Sequence, residues 1–122
     1  MKNTVQPTDH VRNVKRKGSE GEREVCRILE AAGFTNAHRN EQRMIGGYNN
    51  PDIDADGLSC FHMEVKRVER LNVSEAMKQA RHDAAGRVPI VIHRRTREPW
   101  LVTMPLEDWL PLARSVQLPD DW

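Results

Sequence analysis

The sequence lacks any long hydrophobic run. No stretch approaches the twenty or so apolar residues of a membrane span, and no secretory signal pattern opens it. A soluble, intracellular (cytoplasmic) chain with no membrane partner is expected. Cysteine is scarce as well. Cys26 and Cys60 stand far apart with no paired spacing, which indicates neither a zinc site nor a disulfide framework and reads both as small core or strand residues. At 122 residues, 30% charged and 38% hydrophobic, the chain is too short for two domains and long enough for one modest core.

Net charge is also nearly absent, at +1, but it is unevenly spread. Residues 1–17 carry Lys2, Arg12, Lys15, Arg16 and Lys17 against Asp9, a local +4, whereas residues 106–122 carry Arg114 against Glu107, Asp108, Asp120 and Asp121, a local −3. A basic leader gathers any phosphate contacts at one end, although an ordinary solubilising tail accounts for the same residues. The leader is polar, contains Pro7 and shows no periodicity. Residues 1–16 therefore read as a flexible basic arm and residues 17–122 as a single domain.

What is present is a period-two pattern over residues 51–66. Ile53 and Ala55 alternate with Asp52, Asp54 and Asp56, and Phe61, Met63 and Val65 alternate with His62, Glu64 and Lys66. Two strands joined by a turn follow. Met63 and Val65 then face the core, while Glu64 and Lys66 share the other face. If the hairpin brings Asp52 across from them, two carboxylates and one ammonium converge on a volume able to hold a divalent cation, and hard oxygen ligands suit magnesium or manganese. The competing account is a polar strand face that is merely solvated, with Asp54 and Asp56 having no evident task.

Either side of this hairpin the pattern changes period. From Ser19, an N-cap with Glu22 three residues on, the apolar stripe Val25, Ile28, Leu29 and Ala32 predicts a helix that stops at Gly33. Residues 34–39 predict a short strand, and residues 40–50, with Gly46 and Gly47 at their centre, a polar loop; Arg39 just before it and Arg43 and Tyr48 within it could meet a phosphate or a base, with simple packing the favoured account of Tyr48. A second helix is expected from an N-cap at Ser74, with Ala76, Met77, Ala80 and Ala84 inward and Gly86 after it. Residues 88–93 read as a central buried strand, residues 94–99 as a charged turn, and residues 100–104 as a returning strand. Pro105 opens a short last helix with Leu106, Trp109 and Leu110 on its apolar side, and the chain thins out beyond Pro111. Trp100 and Trp109 are expected in the core.

Pro51-Asp52 followed by Glu64-Val65-Lys66 resembles the signature of the PD-(D/E)XK nuclease superfamily, and Lys17-Gly18-Ser19-Glu20-Gly21-Glu22-Arg23-Glu24 resembles the opening helix of archaeal-type Holliday junction resolvases, including bacteriophage forms. The resemblance implies a restriction-endonuclease-like α/β fold, a central mixed sheet flanked by helices. It implies a metal-dependent endonuclease acting on DNA four-way junctions as a homodimer and leaving a 5′-phosphate. It makes Asp52, Glu64, the Val65 carbonyl and Glu22 the ligands of Mg2+, with Mn2+ as substitute, and Lys66 the catalytic cation. Glu22 has a second reading as the capping-box partner of Ser19, and Glu20 and Glu24 compete with it for the metal. Lys15, Arg16, Lys17, Arg39, Arg43, Arg67 and Arg70 are the candidate DNA contacts. Gln79 matches an orienting glutamine of related nucleases, without the tyrosine that follows it there. A nicking or end-processing enzyme on linear DNA, or a non-catalytic nucleic-acid-binding module, would use the same fold.

Overall fold

A computed structural model describes the backbone of residues 9–40, 44–45, 48–117 and 119–121, and the side chains of residues 17–40, 50–117 and 119–121. The elements run α1 (Asp9–Ala31), β1 (His38–Arg39), β2 (Met44–Ile45), β3 (Tyr48–Asn49), β4 (Ile53–Asp54), β5 (Phe61–Arg67), α2 (Val73–Asp83), β6 (Val88–Arg94), β7 (Leu101–Thr103) and α3 (Leu106–Ser115). One five-stranded sheet has the order β1-β4-β5-β6-β7, with β5 and β6 parallel and the other pairs antiparallel. It is a mixed sheet, as expected. β2 and β3 form a separate ladder pairing Ile45 with Tyr48.

The parallel pair β5 and β6 forms the middle of the sheet and is covered on both faces. On one face Met63, Val65, Ile90 and Ile92 pack with Ile53 and with Val25 and Cys26 of α1. On the other, Val91 packs against Ala76 and Ala80 of α2. Burial of each large aliphatic side chain here stabilises the fold by roughly 1.5–3 kcal/mol. The alternation in residues 61–66 therefore separates two buried faces. Helix α2 begins after Asn72, whose side chain accepts the Glu75 N–H at 3.1 Å, so the N-cap lies two residues before the expected Ser74.

Other expectations need correction. Helix α1 begins at Asp9 and is nearly three turns long by Ser19, so Ser19 is no N-cap and residues 9–16 are helical; residues 1–8 lie outside the described residues. Gly33 does end the helix, at φ 102°, with the Phe34 N–H reaching the Leu29 carbonyl at 2.9 Å. The first strand shrinks to two residues because Asn36 sits at φ 56° and breaks the extended run. Within the expected loop of residues 40–50, β2 and β3 pair as a short antiparallel ladder; Gly46 and Gly47, expected at the loop's centre, lie outside the described residues. Cys60 is exposed in a turn, unlike the buried Cys26. Helix α3 continues through Pro111 to Ser115 with no buried residue, and Trp109 is 49% exposed, so it is not a core residue.

Two glycines separate the helix-start alternatives. A Cβ at Gly18 meets nothing within 4 Å, while one at Gly21 comes within 3.2 Å of Arg67 Cβ and 3.4 Å of the Trp100 ring, where α1 crosses the sheet. Gly18→Ala is expected to raise unfolding free energy by about 0.5–1 kcal/mol, the helix-interior difference between the two residues. Gly21→Val is expected to lower it by about 1–3 kcal/mol through overpacking. Urea denaturation measures both, and a neutral or destabilising Gly18→Ala would return the helix start to Ser19.

Candidate metal-dependent active site

Asp52 stands where β4 begins and is tied down from both sides. Its N–H donates to the Met63 carbonyl at 2.9 Å, its carbonyl accepts the Asn40 N–H at 2.9 Å, and its Oδ2 accepts the Val65 N–H at 2.8 Å. Ile53, fully buried, pairs with Met63 in the register that sets this placement. The Asn40 side-chain amide closes the approach by donating to the Pro51 carbonyl at 3.1 Å and to Asp54 Oδ2 at 2.9 Å. Asp54 also receives Arg87 Nη2 at 2.8 Å, and Asp56 accepts from Thr35 at 3.1 Å. These two acids thus have structural partners that the sequence did not disclose.

Glu64 lies beneath α2, 9% exposed, beside Asp52. Burial holds its carboxyl above the ordinary glutamate range; the hydrogen bond from His62 opposes this, and the Asp52 charge and a hydrogen bond with the Asp52 carboxyl add to it. Two acids crowded into one low-dielectric volume resist double ionisation unless positive charge joins them. His62, 1% exposed, contributes Nε2 at 2.7 Å from Glu64 Oε1. Sequence reasoning passed over His62 as one more polar residue on an alternating strand. Its position two residues before Glu64, hence on the same face, was the available signal.

An open cleft of about 460 Å³ adjoins these acids, lined by Gly18, Ser19, Glu22, Arg39, Asn40, Asp52, Val65, Lys66, Arg67 and Val68. It brings together Asp52, Val65, Lys66 and Glu22, with Glu64 buried behind its wall. Glu22 receives Arg39 Nε at 2.6 Å, and Arg39 Nη2 also donates to Ser19 Oγ at 3.1 Å. Burial raises the Glu22 carboxyl and the Asp52 charge adds to this, while Arg39 opposes both. Its neighbours on α1 are engaged elsewhere: Glu20 pairs with Arg67 at 3.2 Å, and Glu24 accepts Trp100 Nε1 at 2.8 Å and Arg94 Nη2 at 3.1 Å. Of the three helix acids, Glu22 alone lines the cleft.

The remaining candidates divide. Arg39 and Arg67 are on the cleft wall, Lys17 is exposed on α1, and Arg70 is exposed in the bend after β5. The side chains of Lys15, Arg16 and Tyr48, and all of Arg43, lie outside the described residues. Gln79 is not brought to the cleft: its amide donates to Asp83 of the same helix at 2.9 Å, and it lines a separate surface pocket with Glu75, Lys78 and His82. One helical turn of spacing makes that pairing local.

The donor set fits a hard divalent cation. The Asp52 charge bears on Glu64, a repulsion that a bound cation relieves, and the candidate ligand atoms of Asp52, Glu64, Glu22 and Val65 are all oxygens. Among the described residues no three His, Cys, Asp or Glu side chains are already gathered as a ligand cluster, and Glu22 is held by Arg39. No helix among the described residues is long and apolar enough to cross a membrane.

No family model and no curated protein sequence matches the chain. Among solved structures, Hjc, a Holliday junction resolvase from the archaeal hyperthermophile Archaeoglobus fulgidus, is similar, with a TM-score of 0.50, 25% identity, and coverage of 71% of this chain and 76% of that one.

The raised Glu64 carboxyl carries a pH signature. The folded state binds a proton here more readily than the unfolded chain does, so Glu64's contribution is most favourable at low pH and is lost as pH rises above the ordinary value of 4.5 and through the raised one. In chelator, the melting temperature is expected to fall more between about pH 5 and 7 in wild type than in Glu64→Gln. Parallel curves would show that Glu64 carries no such penalty.

Proposed function

From the restriction-endonuclease-like α/β fold that this chain shares with PD-(D/E)XK nucleases, we propose that it is a metal-dependent endodeoxyribonuclease that resolves four-way DNA junctions. One arrangement carries the reading: Asp52, bonded to the Val65 N–H, stands against Glu64 at a cleft that also holds Lys66 and Glu22. Asp52, Glu64 and the Val65 carbonyl would hold Mg2+, or Mn2+ in its place, with Glu22 joining directly or through water. The cation, when bound, supplies Lewis-acid activation of water and of the scissile phosphodiester.

The protein's own groups do the rest. Lys66 brings a fixed positive charge to the cleft, where it stabilises charge growing on the phosphate. Arg39 and Arg67 on the wall, with Lys17 and Arg70 outside it, meet backbone phosphates and position the strand. The four-way junction as substrate is supported by the likeness to Hjc.

Symmetric cutting requires two active sites, hence a homodimer. Its support is the apolar stripe of α3, where Leu106, Trp109 and Leu110, at helical spacing, are all exposed. Large exposed apolar patches mark interaction sites.

Asp52→Asn and Glu64→Gln are each expected to abolish cleavage while leaving junction binding intact, and Lys66→Ala to lose on the order of 10²-fold in rate. Glu22→Gln is expected to raise the Mg2+ concentration needed. Cleavage of junction, duplex and single-stranded DNA, with and without Mg2+, measures these. Wild-type turnover in Asp52→Asn would remove the metal assignment; equal cutting of linear duplex would make the enzyme a nicking or end-processing nuclease, and metal-independent binding without cleavage a binding module.

Sedimentation is expected to find a dimer that Trp109→Glu converts to monomer. A monomeric wild type would remove the dimer from the reading.

A further inference from the structure

His62 is among the most deeply buried side chains in the described protein, at 1% exposure, and its ring ends on Glu64 Oε1 at 2.7 Å. The two residues are i and i+2 on β5, on the face carrying Val91, against which Ala76 and Ala80 of α2 pack. In the register of the sheet His62 stands beside Pro89, which has no N–H, and Glu64 beside the fully buried Val91. With Glu64 ionised, as a cation ligand must be, its oxygen only accepts, so the ring donates its Nε2–H. A buried carboxylate left without such a donor suffers the full desolvation cost.

We propose that His62 is a positioning residue for the cation site: its Nε2–H fixes one oxygen of Glu64, and with it the plane of the carboxylate that meets the cation beside Asp52. The inference rests on the reading of the cleft as a metal-dependent nuclease site. His62 acts through Glu64 and touches neither DNA nor cation. Its role is that of the outer hydrogen-bond partners of metal-ligating carboxylates, whose loss weakens metal binding although no ligand is removed.

The test measures Mn2+ affinity by calorimetry, with melting temperature as the folding control. His62→Leu removes the donor, His62→Gln offers an amide of similar reach, and Glu64→Gln removes the ligand charge. His62→Leu is expected to bind Mn2+ about 10–100-fold more weakly and His62→Gln within about threefold of wild type. A filling role alone would lower the melting temperature without moving the affinity, and would overturn the proposal. If Glu64→Gln loses Mn2+ while His62→Leu keeps wild-type affinity, positioning by His62 falls and the cleft reading stands. If Glu64→Gln itself binds as wild type, both fall. Should His62→Leu fail to fold, wild-type protein with 15N-labelled histidine decides: the His62 Nε2 resonance is expected to move with added Mg2+, and a resonance fixed through saturation overturns the proposal.

Discussion

The placement of Asp52 against Glu64, on which the rest of the cleft is built, depends on one hydrogen bond, from the Val65 N–H to Asp52 Oδ2 at 2.8 Å. Strand β4 is two residues long, so the ladder to β5 has little backbone with which to hold its register. The Asp52 side chain supplies the missing acceptor. A bond to a charged acceptor contributes about 1.5–3 kcal/mol, more than a neutral one, so a single carboxylate replaces part of a strand. The consequence is electrostatic. A carboxylate anchored to β5 at Val65 is beside Glu64, and their repulsion belongs to the fold.

Helix α1 closes the cleft through a different division of labour. Glu20, Glu22 and Glu24 each take an arginine from a different strand, Arg67 of β5, Arg39 of β1 and Arg94 of β6. These pairs are only partly exposed, and ion pairs still in touch with solvent contribute about 1 kcal/mol or less each, whereas burial of Val25 against the sheet contributes roughly 1.5–3 kcal/mol. The apolar contact therefore holds the helix down, and the ion pairs set its rotation. Gly21 allows the close approach that brings Glu22 over Asp52.

How far the sequence disclosed this arrangement follows from where each cause lies along the chain. The alternation in residues 51–66 is local, so Asp52, Glu64 and Lys66 could be placed before the fold was known. That Glu64 and His62 are buried could not. The cover over them comes from β6 and from the alanine face of α2, and the parallel pairing of β5 with β6 joins segments separated by a helix. The start of α1 was hidden for another reason: Ser19 and Glu22 have capping-box spacing, yet in the fold both are held by Arg39, which is remote in sequence. The shortness of β1 depends on the positive φ of Asn36, a choice that asparagine permits without announcing it.

Acids deep in a cleft and bases on its wall would neutralise one another if the side chains were free to do so. Arg39 does so only at Glu22, and Arg67 is anchored on Glu20, so both guanidiniums are held on acids of the helix. That anchoring sets where the guanidinium charge lies on the wall, where the field of a DNA phosphate is met first. It also leaves Glu64 to a donor from its own strand, the buried His62, which orients the carboxylate while supplying no long flexible cation that could fold into the site. An imidazole on a central strand has few rotamers and nowhere to go. The choice of histidine over arginine or lysine at position 62 is thus consistent with a carboxylate that must stay fixed and still accept a cation on its other side.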